Sequence, residues 1–391
     1  MGASATLTPT LGLLEKIASR DANVAVIGLG YVGLPLALHA CAAGLRVFGL
    51  DDDPRRVARL QEGHTDIVDV DDELLGGAID SVKLTVGGDP SVLANVDVVV
   101  ICVPTPLADD LPDMSFVKAA AEQVAAHLRQ GQLVILESTT YPGTTEEMLL
   151  PILETSGLKA GIDFSLGYSP ERIDPGNPTA KLENVPKLIG GIDDRSVESM
   201  AAFYGLFIEK TVRVSSPRTA EMAKLLENTY RHVNIALVNE IAILCHDLGI
   251  DVWEVIAAAS TKPFGFQPFY PGPGWGGHCI PVDPAYLSWR VRQMGSTARF
   301  VELAREFNEK MPRYVVERID EVLLSNGKTL KGSSVLMIGV TYKADVADTR
   351  ETPAVPIIEG LRKAGATTTF HDPLIASLET RHGTMQSIDL T

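Results

Sequence analysis

The stretch from Asn23 to Asp51 constrains this chain more than any other. Asn23-Val-Ala-Val-Ile-Gly28 is a short apolar run, rich in β-branched residues and closed by glycine, the pattern of a buried strand. Gly28-Leu-Gly30-Tyr-Val-Gly33 comes next, then a helical run from Leu34 to Ala43 stopped by Gly44, then a second strand from Leu45 to Leu50 that ends in Asp51. Each glycine answers a physical need. Gly28 permits a tight turn, Gly30 lets the backbone approach a pyrophosphate, and Gly33 lets helix and strand pack closely. The helix N-terminus offers free N–H groups and the positive end of its dipole to phosphate. A carboxylate at the tip of the second strand accepts hydrogen bonds from both ribose hydroxyls and repels a 2′-phosphate, which favours NAD over NADP. Arg55 and Arg56 act in the opposite sense, since either could meet a 2′-phosphate.

At 391 residues the chain is long enough for two or three domains. With 45% hydrophobic and 21% charged residues it is a globular chain that buries sizeable cores. A net charge of −16 with no basic stripe excludes nucleic acid as a partner, and an anionic ligand must be held by local donors against the overall field. No apolar run reaches the length of a membrane helix. Residues Met1 to Thr10 lack the basic and apolar regions of a secretory signal. Cysteines 41, 102, 245 and 279 have no paired spacing, so a reducing cytoplasm is expected, and neither a disulfide framework nor a metal site is.

The α/β pattern continues beyond Asp51. Val82 to Val86, Val96 to Val103, Leu133 to Ser138, Phe164 to Tyr168, Lys187 to Ile189 and Lys210 to Val214 read as strands, with helices between them and a helix at Ser196 to Phe207. Pro104-Thr-Pro106 breaks the chain directly after a strand, where a loop at the cofactor edge belongs. Ser216-Pro217 then starts a helix, serine as N-cap and proline at the first helical position, that meets no glycine or proline before Leu248. Such a helix suits a spine between domains, with one face for core packing or a subunit contact. A shorter helix is expected from Val252 to Ser260. From Ser333 the chain echoes its own beginning: strand to Gly339, helix from Thr352 to Ala364, strand from Ala366 to Phe370, then His371-Asp372-Pro373. The glycine fingerprint is missing there, replaced by Thr341-Tyr-Lys-Ala-Asp345. The expected architecture is therefore α/β: two Rossmann-like, doubly wound domains joined by a long central helix. The boundaries are 1–215 for the NAD-binding domain, 216–325 for a central helical domain with the Cys279 loop, and 326–391 for a Rossmann-like C-terminal domain.

A second sequence feature narrows the chemistry. Gly272-Pro-Gly-Trp-Gly-Gly-His-Cys-Ile-Pro-Val-Asp283 sets Cys279 in a glycine-dense loop. A thiolate traps an aldehyde as a thiohemiacetal, from which a second hydride can leave the same carbon. Backbone N–H groups freed by the glycines, and His278 beside it, would lower the thiol pKa. Lys224 and Asn228, four residues apart, share one face of the long helix, where an ammonium and an amide can hold a developing oxyanion.

These motifs together resemble the UDP-sugar 6-dehydrogenases, from about Val24 to Pro373. The resemblance rests on the fingerprint through Pro35, Val103-Pro-Thr-Pro106, Glu137-Ser-Thr-Thr-Tyr-Pro-Gly-Thr-Thr145, Tyr168-Ser-Pro-Glu171, Lys224-Leu-Leu-Glu-Asn228, the Cys279 loop, Gly339-Val-Thr-Tyr-Lys-Ala-Asp345 and Asp348-Thr-Arg350. It implies oxidation of the C6 hydroxymethyl of a nucleotide sugar to a carboxylate with two NAD per turnover, in a homodimer. For the last two domains it implies dimerisation through 216–325 and nucleotide-sugar binding, in a shortened form, by 326–391. It assigns Cys279 as nucleophile, Lys224 and Asn228 to the oxyanion, and Thr139, Glu171 and Asp283 to water placement and acid–base work. It places Gly28, Gly30, Tyr31, Val32, Gly33, Asp51, Arg56, Val103, Pro104, Thr105, Ser138, Thr139 and Arg350 at the cofactor. It places Glu171, Arg172, Lys224, Asn228, Phe269, Tyr270, Gly276 and Lys343 at the sugar nucleotide. Lys262 to Gly274 and Ser169-Pro-Glu-Arg172 look most like the branch acting on UDP-N-acetylglucosamine. Arg172-Ile-Asp174-Pro-Gly-Asn177 departs from the Phe-Leu-x-Glu-Gly run of the glucose branch. Two other classes fit part of the pattern: a two-electron dehydrogenase of the 6-phosphogluconate or hydroxyacyl type, which needs no Cys279, and a non-catalytic nucleotide-sugar-binding homologue.

Overall fold

Parallel strands buried on both faces dominate the first half of the chain. A computed structural model describes residues 12–67, 70–173, 177, 179–277 and 280–390; Asp174, His278 and Cys279 lie outside the described residues. The chain divides into two compact units, Met1–Lys224 and Leu225–Thr391, with the boundary inside the long helix.

The first unit contains β1 (Asn23–Ile27), β2 (Arg46–Leu50), β3 (Leu84–Gly87), β4 (Val98–Ile101), a small hairpin of β5 (Leu107–Ala108) and β6 (Leu111–Pro112), β7 (Leu133–Leu136), β8 (Ser165–Tyr168), β9 (Lys187–Gly191) and β10 (Thr211–Arg213). Apart from the hairpin, these strands form one sheet in the order β10-β9-β8-β7-β4-β1-β2-β3. All neighbours pair in parallel except β8 and β9, so β9 and β10 run against the rest. Alternate residues of β1 feed two different cores: Val24 and Val26 pack with Leu34, Leu38 and Phe203 on one face, Ala25 and Ile27 with Val117, Val124 and Leu149 on the other. Helices on both faces are why the strands read as continuous apolar runs rather than alternating ones. The strand order reverses direction between β1 and β4, and that crevice at the C-terminal strand ends is where open α/β sheets bind ligands.

The long helix runs from Pro217 to Asp247, with the Ser216 hydroxyl accepting the Thr219 N–H at 3.2 Å as its cap. Its buried side carries polar as well as apolar residues, among them Leu225, Ala236 and Val238, and its exposed side carries an apolar stripe. Leu226, Tyr230, Leu237 and Leu244 are exposed, while Glu221, Lys224, Asn228, His232 and Asn239 are buried. At ~100° per residue the apolar set falls within a stripe about 40° wide, opposite the polar set.

In the second unit helices Val252–Ser260, Asp283–Gln293 and Arg299–Ser325 precede β11 (Ser334–Ile338), helix Ala354–Lys363 and β12 (Thr367–His371). The sequence pattern did not announce the helix Arg299–Ser325, because Pro312 interrupts it; side-chain pairs such as Arg305–Glu309 and Arg313–Glu317 line its exposed face. β11 and β12 pair in parallel, and beyond them lies an antiparallel hairpin of β13 (Ser377–Thr380) and β14 (Gly383–Gln386). Val340, Ile358, Phe370, Leu378 and Met385 form its core. The C-terminal segment is thus one β–α–β unit plus a hairpin.

The echo between the two β–α–β units is structural as well. Gly28 N donates to Leu50 O at 2.8 Å and Leu29 N to Asp51 Oδ2 at 2.8 Å; Gly339 N donates to His371 O at 2.9 Å and Val340 N to Asp372 Oδ2 at 2.8 Å. In each, the acid after the second strand locks the turn after the first.

The fingerprint glycines separate into packing and access. A β-carbon at Gly33 would lie 1.8 Å from Gly28 O, whereas one at Gly30 meets nothing within 4 Å. Gly33→Ala should therefore lower unfolding stability by at least about 2 kcal/mol in urea titrations. Gly30→Ala should leave the urea midpoint unchanged and weaken NAD binding instead. Equal midpoints for the two variants would contradict this division.

Candidate active site

The C-terminal edge of the large sheet gathers the first group of site residues. Gly28, with φ of 91°, turns the chain against Cys102 O and Val103 N, leaving Gly30 facing open space at the start of helix Gly33–Ala42. Asp51 is buried at the end of β2. It accepts the Leu29 and Asp53 N–H groups at 2.8 and 3.0 Å and pairs with Arg56 at 3.0 Å. Arg56 is thus drawn to Asp51 and away from the free-cation role of a 2′-phosphate ligand, and Arg55 leans to Asp53 at 3.6 Å. Val103, exposed Pro104 and buried Thr105 come after β4, and the Ser138 hydroxyl after β7 donates to Val103 O at 2.7 Å. Tyr31 and Val32 sit in the turn beside Gly30. An open glycine, a helix N-terminus and an acid at the second strand end, all at the reversal of strand order, fit NAD.

Further along the same edge lies a buried charge cluster. Lys187, at the start of β9, pairs with Glu137 at 2.9 Å and Glu171 at 3.3 Å; its side chain is 4% exposed. Tyr204 donates its hydroxyl to the other oxygen of Glu137. Glu171 also accepts the Arg172 and Ile173 N–H groups, each at 2.6 Å. The Arg172 guanidinium reaches Pro186 O at 2.7 Å. Burial opposes charge on Lys187, but the two carboxylates outweigh it and push its pKa up. Burial pushes Glu137 up against the pull of Lys187. The Cys102 thiol is pushed well above its ordinary range by burial, then by Glu137.

Thr139 stands half-buried at the head of the loop 138–145, and Glu221 on the long helix fastens that loop. Glu221 accepts Gly143 N at 2.5 Å, Thr145 N at 2.9 Å and the Thr145 hydroxyl at 2.7 Å. Burial pushes Glu221 up, with those three donors pulling the other way. Lys224 comes one turn later, buried on the same face.

The second unit, taken by itself, holds the other candidate residues. Asn228 donates its amide to Asp283, which is buried in the first turn of helix Asp283–Gln293. The approach to Cys279 is held at several points. Asn239 Oδ1 accepts Gly272 N at 2.9 Å, Trp275 packs on His232 with ring centroids 4.8 Å apart, and Gly277 N donates to Arg350 O at 3.1 Å. Burial lowers the His232 pKa. Tyr342 lies over the two glycines: a β-carbon at Gly276 would come within 2.5 Å of its Cβ, and one at Gly277 within 2.7 Å of its ring. Phe269 meets Tyr230 edge-on at 5.8 Å and Tyr270 stacks on Trp253 at 6.2 Å. Lys343 is half-buried, and the Arg350 guanidinium grips Asp348 at 2.6 Å.

Sequence reasoning missed Glu137, Lys187, Tyr204 and Glu221. Glu221 was within reach, since positions 221, 224 and 228 share a helix face. Lys187 was not, because its role depends on the reversed direction of β9.

Comparison with known proteins agrees with this geometry. The profile of the UDP-glucose/GDP-mannose dehydrogenase family matches in three parts: the NAD binding domain at residues 22–208, the central domain at 218–310 and the UDP binding domain at 336–390. The UDP-N-acetyl-D-glucosamine 6-dehydrogenase of Pseudomonas aeruginosa is 37% identical over 366 residues, 93% of this chain and 85% of that protein. The solved UDP-D-ManNAc dehydrogenase of Pyrococcus horikoshii superposes with a TM-score of 0.85 at 35% identity, covering 91% of this chain and 86% of that one. The UDP-N-acetyl-mannosamine dehydrogenase Cap5O of Staphylococcus aureus gives 0.81 at 35% identity, covering 92% and 84%. The chain belongs to the UDP-glucose/GDP-mannose dehydrogenase family, and it is an NAD-dependent oxidoreductase that converts a nucleotide sugar to its uronic acid.

Proposed function

We propose that this enzyme oxidises C6 of a UDP-linked N-acetylhexosamine through a covalent Cys279 adduct. The observation that carries the reading is the buried Asn228–Asp283 bond, which fastens the end of the Cys279 loop to the helix that bears Lys224. The relatives' substrates and the Lys262 to Gly274 and Ser169 to Arg172 segments support the N-acetylhexosamine. Bound NAD would supply the hydride acceptor for both oxidations, alcohol to aldehyde and thiohemiacetal to thioester. Gly28, Gly30, Gly33, Tyr31, Val32, Asp51, Arg56, Val103 to Thr105, Ser138, Thr139 and Arg350 would hold it.

The remaining chemistry belongs to the chain. The Cys279 thiolate adds to the C6 aldehyde, and its sulfur remains bonded to carbon until water displaces it from the thioester and the carboxylate leaves. Burial pushes Cys41 up to about 12 and Cys102 well above its ordinary value, so neither offers a thiolate near neutral pH. Lys224 and the Asn228 amide stabilise the oxygen as it becomes anionic. Thr139, Glu171 and Asp283 place and deprotonate the water. Arg172, Phe269, Tyr270, Gly276 and Lys343 line the sugar nucleotide.

The reading includes three modules, 1–215, 216–325 and 326–391, and a homodimer. The exposed stripe of Leu226, Tyr230, Leu237 and Leu244 supports the dimer: a second copy would present the same stripe, and apolar surface of this extent seeks cover. Cys41, Cys102 and Cys245 are free thiols, which suits a reducing cytoplasm. Among the described residues no helix is long and apolar enough to cross a membrane.

A panel of UDP-hexoses tests the activity. The correct sugar should yield two NADH and one uronic acid per molecule. Cys279→Ser should lower turnover at least about a thousandfold while NAD affinity holds. One NADH with accumulating aldehyde, or unchanged acid production by the variant, would refute the covalent route. For assembly, Leu237→Arg should halve the mass measured by light scattering, whereas a wild-type mass would place the subunit contact elsewhere.

A further inference from the structure

We infer that Lys187 is a positioning residue for the reaction, holding Glu171 in place at the C-terminal edge of the sheet. The inference rests on the acid–base role proposed for Glu171. Its origin is topological. β9 runs antiparallel to β8, with Tyr168 opposite Gly190 and Gly167 opposite Gly191. Extending that register past Tyr168 brings residue 171 across from residue 187. A lysine that begins β9 is thereby delivered to the edge where the parallel strands end, which a parallel β9 would not do.

The geometry there is that of a clamp. Lys187 Nζ lies 3.3 Å from Glu171 Oε2 and 2.9 Å from Glu137 Oε2. Glu137 is fully buried and takes the Tyr204 hydroxyl on its other oxygen, so its own place is fixed. Lys187 also stands over the Tyr204 ring at 5.3 Å. Glu171 Oε1 is held by the N–H groups of the next two residues in the chain. Both oxygens of Glu171 are therefore located from the protein side: Oε1 by two N–H groups and Oε2 by Lys187, with a lone pair of Oε2 left to accept a hydrogen bond from water. Among the described residues, the groups facing Glu171 include Lys187 from β9, Glu137 beyond β7 and Cys102 beyond β4, and of these three the lysine is the cation.

Lys187 should be replaced together with its buried counter-ion, so that the fold keeps its charge balance. Lys187→Met/Glu137→Gln should lower kcat about a hundredfold with the KM for the sugar nucleotide little changed. Lys187→Arg, which retains the cation and can still bridge the two carboxylates, should keep kcat within about tenfold of the wild type. A thermal melt confirms that each variant is folded. A folded double variant that keeps the wild-type kcat, or a folded Lys187→Arg variant as impaired as the double variant, overturns the positioning role. Glu171→Gln is measured in parallel: if it turns over like the wild type, the assignment of Glu171 itself fails and the inference with it. If Glu171→Gln is impaired while the double variant matches the wild type, only the role of Lys187 is overturned.

Discussion

The long helix Pro217–Asp247 buries a row of polar residues among its apolar ones, and much of the molecule depends on how that row is satisfied. Burying Glu221, Lys224, Asn228, His232 and Asn239 on one face costs desolvation that packing cannot offset, so each needs a partner or a ligand. The partners are informative. Glu221 takes the loop 138–145, Asn228 takes Asp283, and Asn239 takes Gly272, while the Asn308 side chain bonds back to both Asn239 and the His232 carbonyl. Within the first unit the helix thus anchors the loop that follows Thr139, and within the second it anchors Gly272 and Asp283. Its outward stripe has no such explanation within one chain.

The large sheet makes a comparable selection. Strand direction decides which end of each strand reaches the site. The parallel strands contribute residues just past their C-terminal ends: Gly28 after β1, Asp51 after β2, Val103 after β4, Ser138 and Thr139 after β7, Glu171 after β8. The reversed β9 contributes its first residue instead. A buried ion pair is weak support for stability by itself, since desolvation consumes most of the Coulomb gain. The Lys187 cluster is thus better understood as fixing geometry than as holding the sheet together, a task already met by the apolar clusters on both faces.

Much of this was legible in the sequence because the signals were local. The fingerprint, the Ser216-Pro217 cap and the uninterrupted helical run after it each depend on neighbours in the chain. The helix Val252–Ser260 appears with the bounds its pattern suggests. The repeat of strand, helix, strand and acid near the C-terminus was likewise visible. The features that were not legible depend on tertiary context. Pro312 reads as a break but sits inside the helix Arg299–Ser325. Lys187 reads as an ordinary strand residue until the antiparallel pairing is known. Arg56 reads as a candidate 2′-phosphate ligand until Asp51 is seen to hold it. The hairpin of β13 and β14 had no turn signal strong enough to stand out from a short tail.

The two β–α–β units show how one backbone device serves two purposes. Both close the turn after the first strand with the same acid-to-amide bond, Asp51 to Leu29 and Asp372 to Val340. The next residue in the turn decides the outcome. In the first unit it is Gly30, with open space where a β-carbon would be, and a pyrophosphate can approach the backbone. In the second it is Thr341, whose hydroxyl turns back to Lys343 O at 2.9 Å, and Tyr342 beyond it lies against Gly276 and Gly277. The second turn therefore supports the glycine pair just before Cys279 with a ring. Those glycines are then required by close packing as much as by free N–H groups, since any side chain there would collide with Tyr342. Loss of the fingerprint in the C-terminal unit is thus accompanied by a defined contact, and the glycine-dense loop and the Thr341-Tyr342-Lys343 run constrain one another.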